Sequence, residues 1–364
     1  NLSLLRPAKL LHDQILRYGI SIDGLIGNSL ITLYARCGSL DEGQRMFDLL
    51  QNRSSVSWSA LIGGYVQHGH SHKAIEIFDE MQYKGLCLNR SILLSILKAC
   101  GSICGILKGM ILHHEIIVEG SKYGYGDVVT VVESALLDMY AKCGCLDEAQ
   151  KVFDSLPDAD VIAWNTLLSG YSQHGFGHES LSLFPVMQEQ GLLPDEVTFS
   201  CLLKACSTTG SISEGQKIHA ELRGNGILRN NLVIGTSLVD MYAKCGMLQE
   251  AREAFDELHE RDVVSWNALI TGYGHHGLSN EALKCYEEMR GDDVTPDAVT
   301  FTCVLKVCGS IGLSEKGEEI RVEVRKRGLL KNNVMLGNAL VDMYAKCGLL
   351  SKAQEVLDKL PVRD

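Results

Sequence analysis

Asp342-Met343-Tyr344-Ala345-Lys346-Cys347-Gly348 reads DMYAKCG, and the same seven letters stand at Asp138–Gly144 and at Asp240–Gly246. A degenerate copy, TLYARCG, occupies Thr32–Gly38. The exact copies begin 102 residues apart, and the degenerate copy begins 106 before the first of them. A fixed long period decides the fold class before any local reading. Each unit of a repeat array packs only on its neighbours, so length no longer counts domains.

Other ladders run between these copies. Gly64-Tyr65…His68-Gly69 recurs as Gly170-Tyr171…His174-Gly175 and Gly272-Tyr273…His276-Gly277. Trp58, Trp164 and Trp266 precede them, and Lys98-Ala99-Cys100, Lys204-Ala205-Cys206 and Lys306-Val307-Cys308 follow. The period therefore splits into three sub-repeats. Ser55–Asn89, Val161–Asp195 and Val263–Asp297 have 35 residues each. Arg90–Val129, Glu196–Asn231 and Ala298–Asn333 have 40, 36 and 36. Gly24–Ser54, Thr130–Asp160, Leu232–Asp262 and Val334–Asp364 have 31, and residues 1–23 read as the tail of a middle-type unit. The surplus in Arg90–Val129 falls at Gly120–Gly126, a Gly/Tyr-rich insertion.

Each sub-repeat reads as two helices. In the last one Leu340, Met343, Tyr344 and Cys347 recur at i, i+3, i+4 and i+7, and Gly348 stops the helix. Leu350, Ala353, Leu357 and Leu360 form a second stripe, ended at Pro361 or its neighbours. Neither helix buries its stripe alone, so the units are expected to stack into an all-α, curved solenoid. Pro185 stands inside a second helix where the sister units have Asp79 and Glu287, and a local kink is expected there.

The net charge is −11, against a general nucleic-acid binder unless lysines gather on one face. No apolar run approaches a membrane span. The 13 cysteines recur at repeat positions without Cys-x-x-Cys spacing, so neither a zinc site nor a disulfide framework is expected; they read as small buried thiols in a reducing compartment. No signal or transit peptide is visible.

Hairpins of 35, 36 and 31 residues in rotation resemble the PLS subgroup of pentatricopeptide repeat (PPR) proteins. The likeness rests on Val263-Val264-Ser265-Trp266-Asn267-Ala268-Leu269-Ile270, Asp297-Ala298-Val299-Thr300-Phe301 and Gly337-Asn338-Ala339-Leu340-Val341-Asp342-Met343-Tyr344. It implies a right-handed superhelical solenoid of helix-turn-helix units. These run as a partial L unit (1–23), then S (24–54), P (55–89), L (90–129), S (130–160), P (161–195), L (196–231), S (232–262), P (263–297), L (298–333) and S (334–364). The resemblance also implies single-stranded RNA as ligand, about one base per repeat. It implies a mitochondrial or chloroplast location, a role such as cytidine-to-uridine editing with editing partner proteins, and no cofactor. The alternative is a protein-binding scaffold of helical repeats.

Counted from the first residue of each unit, positions 2, 5, 9 and 13 fall on one helical stripe. In the family, position 5 and the unit-final residue read the base edge. Here these pairs are Asn28 and Ser54, Ser59 and Asn89, Ser134 and Asp160, Asn165 and Asp195, Thr236 and Asp262, Asn267 and Asp297, and Asn338 and Asp364. Such side chains donate to or accept from bases. Polar residues are also common near helix entries, but seven in register favour recognition. Position 2, which packs on base faces, is Leu25, Val56, Val131, Ile162, Val233, Val264 and Met335. Position 13 of the S units is Arg36, Lys142, Lys244 and Lys346, assigned to phosphates; Lys98, Lys204 and Lys306 sit at position 9 of the L units. The family's pattern gives the order C, A, unread, G, U, unread, G, U, unread, U, with the L units unread; their position-5 residues are Leu94, Ser200 and Thr302.

Related proteins often carry a deaminase with an H-x-E…C-x-x-C zinc site. His113-His114-Glu115 and His219-Ala220-Glu221 match its first half, but no Cys-x-x-Cys completes it. The chain is read as non-catalytic; a deaminase, where one exists, would lie outside it. His68, His174, His276 and the tryptophans are read as packing residues.

Overall fold

First helices begin within one residue of where the sub-repeats begin. The computed structural model describes residues 2–19, 22, 24–119, 129–229 and 231–359, and among these it contains α-helices and two short 3-10 turns but no strand. Two compact units are present, Asn1–His174 and Gly175–Asp364.

The first unit holds α1 (Leu2–Arg17), α2 (Gly24–Cys37), α3 (Leu40–Leu49), α4 (Ser55–Gln67), α5 (Ser71–Tyr83), α6 (Arg90–Ser102), α7 (Ile106–Glu119), α8 (Val129–Cys143), α9 (Leu146–Ser155) and α10 (Val161–Gln173). Here α2, α4, α6, α8 and α10 stack in sequence as one layer. The second helices α3, α5, α7 and α9 form the other layer, each packed on its own first helix and on the next one.

The second unit holds α11 (Gly177–Glu189), α12 (Glu196–Thr209), α13 (Ile212–Gly224), α14 (Leu232–Lys244), α15 (Leu248–Asp256), α16 (Val263–His275), α17 (Ser279–Gly291), α18 (Ala298–Ile311), α19 (Ser314–Lys326), α20 (Val334–Lys346) and α21 (Leu350–Asp358). It repeats the arrangement, with α12, α14, α16, α18 and α20 as the first-helix layer.

The letters of DMYAKCG divide their work among neighbouring helices. The methionines Met139, Met241 and Met343 lie over Gly109, Gly215 and Gly317 of the preceding second helix, where a Cβ would meet the sulfur within 2.8 Å. Tyr140 and Tyr242 are buried, and their hydroxyls bond His113 Nδ1 and His219 Nδ1 at 2.9 Å. Tyr344 meets Arg321 and Glu318 instead. The alanines Ala35, Ala141 and Ala243 face Gly64, Gly170 and Gly272 of the next first helix. There an added Cβ would come within 2.5, 2.9 and 2.5 Å of the alanine Cβ, so only glycine permits this close crossing. The thiols of Cys143 and Cys245 lie 3.7 Å from the Cys100 and Cys206 carbonyls. The closing glycines take the left-handed conformation, with φ of +78° at Gly38 and Gly246 and +75° at Gly144 and Gly348.

The histidine ladder sits on those glycines. His68 Nε2 bonds the Ala35 carbonyl at 2.7 Å and His276 Nε2 bonds the Ala243 carbonyl at 2.9 Å, so the ring satisfies a carbonyl in the last turn of the preceding helix. The tryptophans are buried and pack edge-on against Phe47, Phe153 and Phe255, with centroids 4.7, 4.7 and 4.5 Å apart.

Several expectations need correction. In α21 the buried residues are Ala353 and Val356, whereas Leu350 and Leu357 are exposed; Leu360 and Pro361 lie outside the described residues, as does Gly120–Gly126. The equivalent Leu40 and Leu146 are buried because Gly64 and Gly170 of the next hairpin come against them. The cysteines are all free, but Cys87 and Cys104 are exposed, not buried. Cys100 and Cys206 do behave as buried thiols, pushed by burial up to about 11 and about 12. Pro185 lies inside α11, within a second helix as the sequence places it. Two 3-10 turns, Ile227–Arg229 and Leu329–Asn332, close the two 36-residue units and were not anticipated. Among the described residues no helix is long and apolar enough to cross a membrane.

Candidate nucleic-acid interface

The unit-final residues hold the N-caps of the next first helices. Ser54, Asn89, Asp160, Asp195, Asp262 and Asp297 each have extended backbone, and their side chains accept from the amides of Ser57, Ile92, Ala163, Thr198, Ser265 and Thr300. Asn231 and Asn333 do the same for α14 and α20. Asp195, Asp262 and Asp297 complete reciprocal capping boxes with Thr198, Ser265 and Thr300. Helix-entry capping, weighed for position 5 as the alternative to recognition, falls to the unit-final residue, because position 1 is already the first helical residue. Asp364 lies outside the described residues.

Position 5 stands one turn into the helix and reaches back to the next cap. Asn28 Nδ2 donates to Ser54 Oγ at 3.2 Å. Asn267 Nδ2 donates to Asp297 Oδ1 at 3.1 Å, and Asn267 Oδ1 accepts from Thr300 Oγ1 at 2.7 Å. Asn165 and Asn267 are buried, whereas Ser134 and Asn338 are exposed and Ser59 is half-buried. Ser134 Oγ donates to the Thr130 carbonyl at 2.7 Å. Thr236 Oγ1 is buried without a hydrogen-bond partner among the described residues. Burial pushes the Asp297 carboxyl up, but the Thr300 amide, the Asn267 side chain, the Thr300 hydroxyl and the Val299 amide outweigh it and hold the group below its ordinary 3.8.

Position 2 is exposed in every unit singled out: Leu25, Val56, Val131, Ile162, Val233, Val264 and Met335, with Leu25 the extreme at 82%. Val197 and Val299 extend the series into the L units. Single exposed aliphatics are ordinary on a protein surface. One at the same position of successive helices is a pattern.

The cations are partly neutralised. Lys142, Lys244 and Lys346 pair with Asp138, Asp240 and Asp342 one turn earlier at 2.6, 2.7 and 2.8 Å. Such half-exposed pairs are worth about 0–1 kcal/mol, so a phosphate can exchange for the carboxylate at little cost. Arg36 has Thr32 in place of that Asp. Lys98, Lys204 and Lys306 are exposed and have no ion-pair partner among the described residues.

In the second unit these positions converge on two grooves. One, of about 640 Å³, is lined by Ser200 and Lys204 of α12, by Thr236, Ser237, Asp240 and Lys244 of α14, and by Val264, Asn267, Ala268 and Thr271 of α16. It thus gathers positions 5 and 9 of three successive first helices with one position 2 and one position 13. The other, of about 280 Å³, lies across α16, α18 and α20, with Lys306, Lys346, Asp342, His275, Thr271 and Cys303 in its wall. Ser237, Ala268 and Thr271 were not singled out from sequence, although helical spacing from position 2 or 5 places them on the same face. His113 and His219 belong to neither groove; their rings bond tyrosines, and burial lowers both below the ordinary imidazole value. Among the described residues no cluster of His, Cys, Asp or Glu could hold a metal.

Comparison with known proteins yields three findings. The profile of the PPR repeat matches residues 28–55, 56–86, 134–161, 197–227, 236–263, 299–329 and 338–364, and that of the PPR repeat family matches 159–208 and 261–310. A mitochondrial pentatricopeptide repeat-containing protein of Arabidopsis thaliana is 32% identical over 363 residues, 100% of this chain and 64% of the relative. A chloroplastic one from the same plant is 34% identical over 353 residues, 97% of this chain and 56% of the relative. The chain therefore spans less than two thirds of these relatives. The crystal structure of the pentatricopeptide repeat protein PPR10 from maize aligns with a TM-score of 0.65 at 22% identity, covering 95% of this chain and 55% of that one. The same protein in complex with an 18-nt psaJ RNA element aligns at 0.56 and 19% identity, over 96% and 65%.

Proposed function

Because the chain belongs to the pentatricopeptide repeat family, we propose that it binds single-stranded RNA along its first-helix layer, about one base per repeat, with the P, L and S units in rotation. The observation that carries this reading is the groove of about 640 Å³ in which Ser200, Thr236 and Asn267 are presented by successive helices between Lys204 and Lys244. Thr236 lines this groove, and its hydroxyl is buried beneath the surface without a hydrogen-bond partner among the described residues. Exposed aliphatics at position 2 offer apolar contact to base faces, and the lysines offer phosphate contacts on a protein of net charge −11.

In this reading Asn28, Ser59, Ser134, Asn165, Thr236, Asn267 and Asn338 select bases together with the capping residue that ends each unit. Arg36, Lys142, Lys244 and Lys346 position the backbone. The mitochondrial and chloroplastic names of the relatives support an organellar location, and RNA processing such as cytidine-to-uridine editing is the role proposed for the whole protein.

The test is a gel shift with an oligonucleotide built on C, A, N, G, U, N, G, U, N, U. Tighter binding than to a scrambled oligonucleotide is expected. Equal binding removes the base assignment, and no RNA binding at low salt removes the RNA reading in favour of a protein scaffold.

A further inference from the structure

The internal repeat supplies its own control for the surface of α7. Leu107, Met110, Ile111, Ile117 and Val118 are all exposed there. At the same positions α13 carries Ser213, Gln216, Lys217, Arg223 and Gly224, and α19 carries Glu315, Glu318, Glu319, Arg325 and Lys326. The same structural slot is thus polar in two sister units and aliphatic in one. The core-facing side of α7 is already satisfied: Leu112 is buried, Gly109 receives Met139, and His113 bonds Tyr140. The aliphatic stripe, spaced i, i+3, i+4, i+10 and i+11, lies on the opposite side and is not part of the core.

We propose that the outward face of α7 is a docking site for one amphipathic helix of a partner protein, with an apolar stripe against α7 and Lys or Arg along its flanks. Two features choose this occupant. The face is about 20 Å long and about 10 Å wide, the footprint of one helix. A second copy of the chain would need about 800 Å² per partner for a stable dimer, more than one such face supplies. The charge around the stripe is one-sided: α5, α7 and α9 together hold eight Asp or Glu and three Lys. All three lysines are already paired, Lys73 with Glu76, Lys108 with Asp79 and Lys151 with Glu148, which leaves five carboxylates in excess. This surface belongs to the second-helix layer, so it is separate from the RNA reading and stands or falls without it.

The test uses two fluorescent 18-residue helical peptides with the same leucine stripe, one flanked by lysines and one by glutamates, titrated into the whole chain. The lysine peptide is expected to bind at least tenfold more tightly. Its binding should weaken at least tenfold in Leu107→Ser/Met110→Gln/Ile111→Gln, whose first two residues α13 already carries at these positions. A thermal melt establishes that this variant folds, and a gel shift that its RNA binding is unchanged. Equal binding of the two peptides overturns the proposal, as does undiminished binding to the folded variant. A concentration-dependent dimer in sedimentation that the variant abolishes would assign the face to a second copy instead.

Discussion

Replacing Asp297 separates its duty as a cap from its charge. Asp297→Ala removes the N-cap of α18, a loss of about 1 kcal/mol within a range of roughly 0.5–2. It also strands the Asn267 Nδ2 donor, which is buried and gives Asp297 its 3.1 Å bond, at a further cost of about 1–3 kcal/mol. Together these predict a destabilisation of about 2–4 kcal/mol. Asp297→Asn keeps a capping oxygen of comparable strength and loses only the charge, for about 1 kcal/mol at neutral pH. The pH dependence has a definite sign. The native carboxyl titrates below its ordinary 3.8, so its stabilisation is complete above that value and is lost as pH falls through 3.8 towards the native value. The gap between wild type and Asp297→Asn should therefore close in strong acid, while the gap to Asp297→Ala persists. Repeat arrays unfold in segments, so the assay is hydrogen exchange of the peptide 298–305, with urea unfolding alongside. If Asp297→Ala exchanges no faster than wild type, or if Asn and Ala are equally damaging at neutral pH, the capping argument is refuted.

Asn267→Thr should move the preference at its base from uridine towards guanine in a competition gel shift; an unchanged preference removes Asn267 from the reading set. Asp240→Asn releases Lys244 from its 2.7 Å pair, so RNA affinity at low salt should rise and the log–log salt slope should steepen by about 0.7. A slope identical to wild type would leave Lys244 without a phosphate. Gly246→Ala forces a Cβ onto a φ of +78° and to 3.3 Å from the His276 ring, for a cost of roughly 1–2 kcal/mol in thermal unfolding, and an unaltered melt would contradict it. Trp266→Ala, which empties the edge-on contact with Phe255, should cost about 3–5 kcal/mol by urea titration; a loss below 1 would mean the site collapses around the gap.

Much of the fold was legible because the repeat prints the same residues at each packing contact. The periodicity of Leu340, Met343 and Tyr344 locates the buried side of α20, and Gly348 marks its end. What the letters could not disclose is which partner each meets. Ala243 and Gly272 touch across 29 residues of sequence, and only the stacking of α14 on α16 joins them. Local signals were present but assigned elsewhere. Asp262-x-x-Ser265 and Asp297-x-x-Thr300 have the spacing of a capping box, and Asp240 stands four residues before Lys244, the spacing of a helical ion pair. The exposed stripe of α7 was readable only against α13 and α19, since an aliphatic helix alone looks like core.

The cap at the end of each unit bears on how such arrays are recombined. By count Asp297 closes the unit that begins at Val263, yet its side chain bonds the backbone of Thr300 in the unit that follows and the Asn267 amide of the unit it closes. A module excised between Asp297 and Ala298 would carry away the cap of a helix it leaves behind. Grafts joined after Thr300 would keep the three side chains of this junction together, so the transferable block begins inside the first turn of one helix and ends inside the first turn of the next.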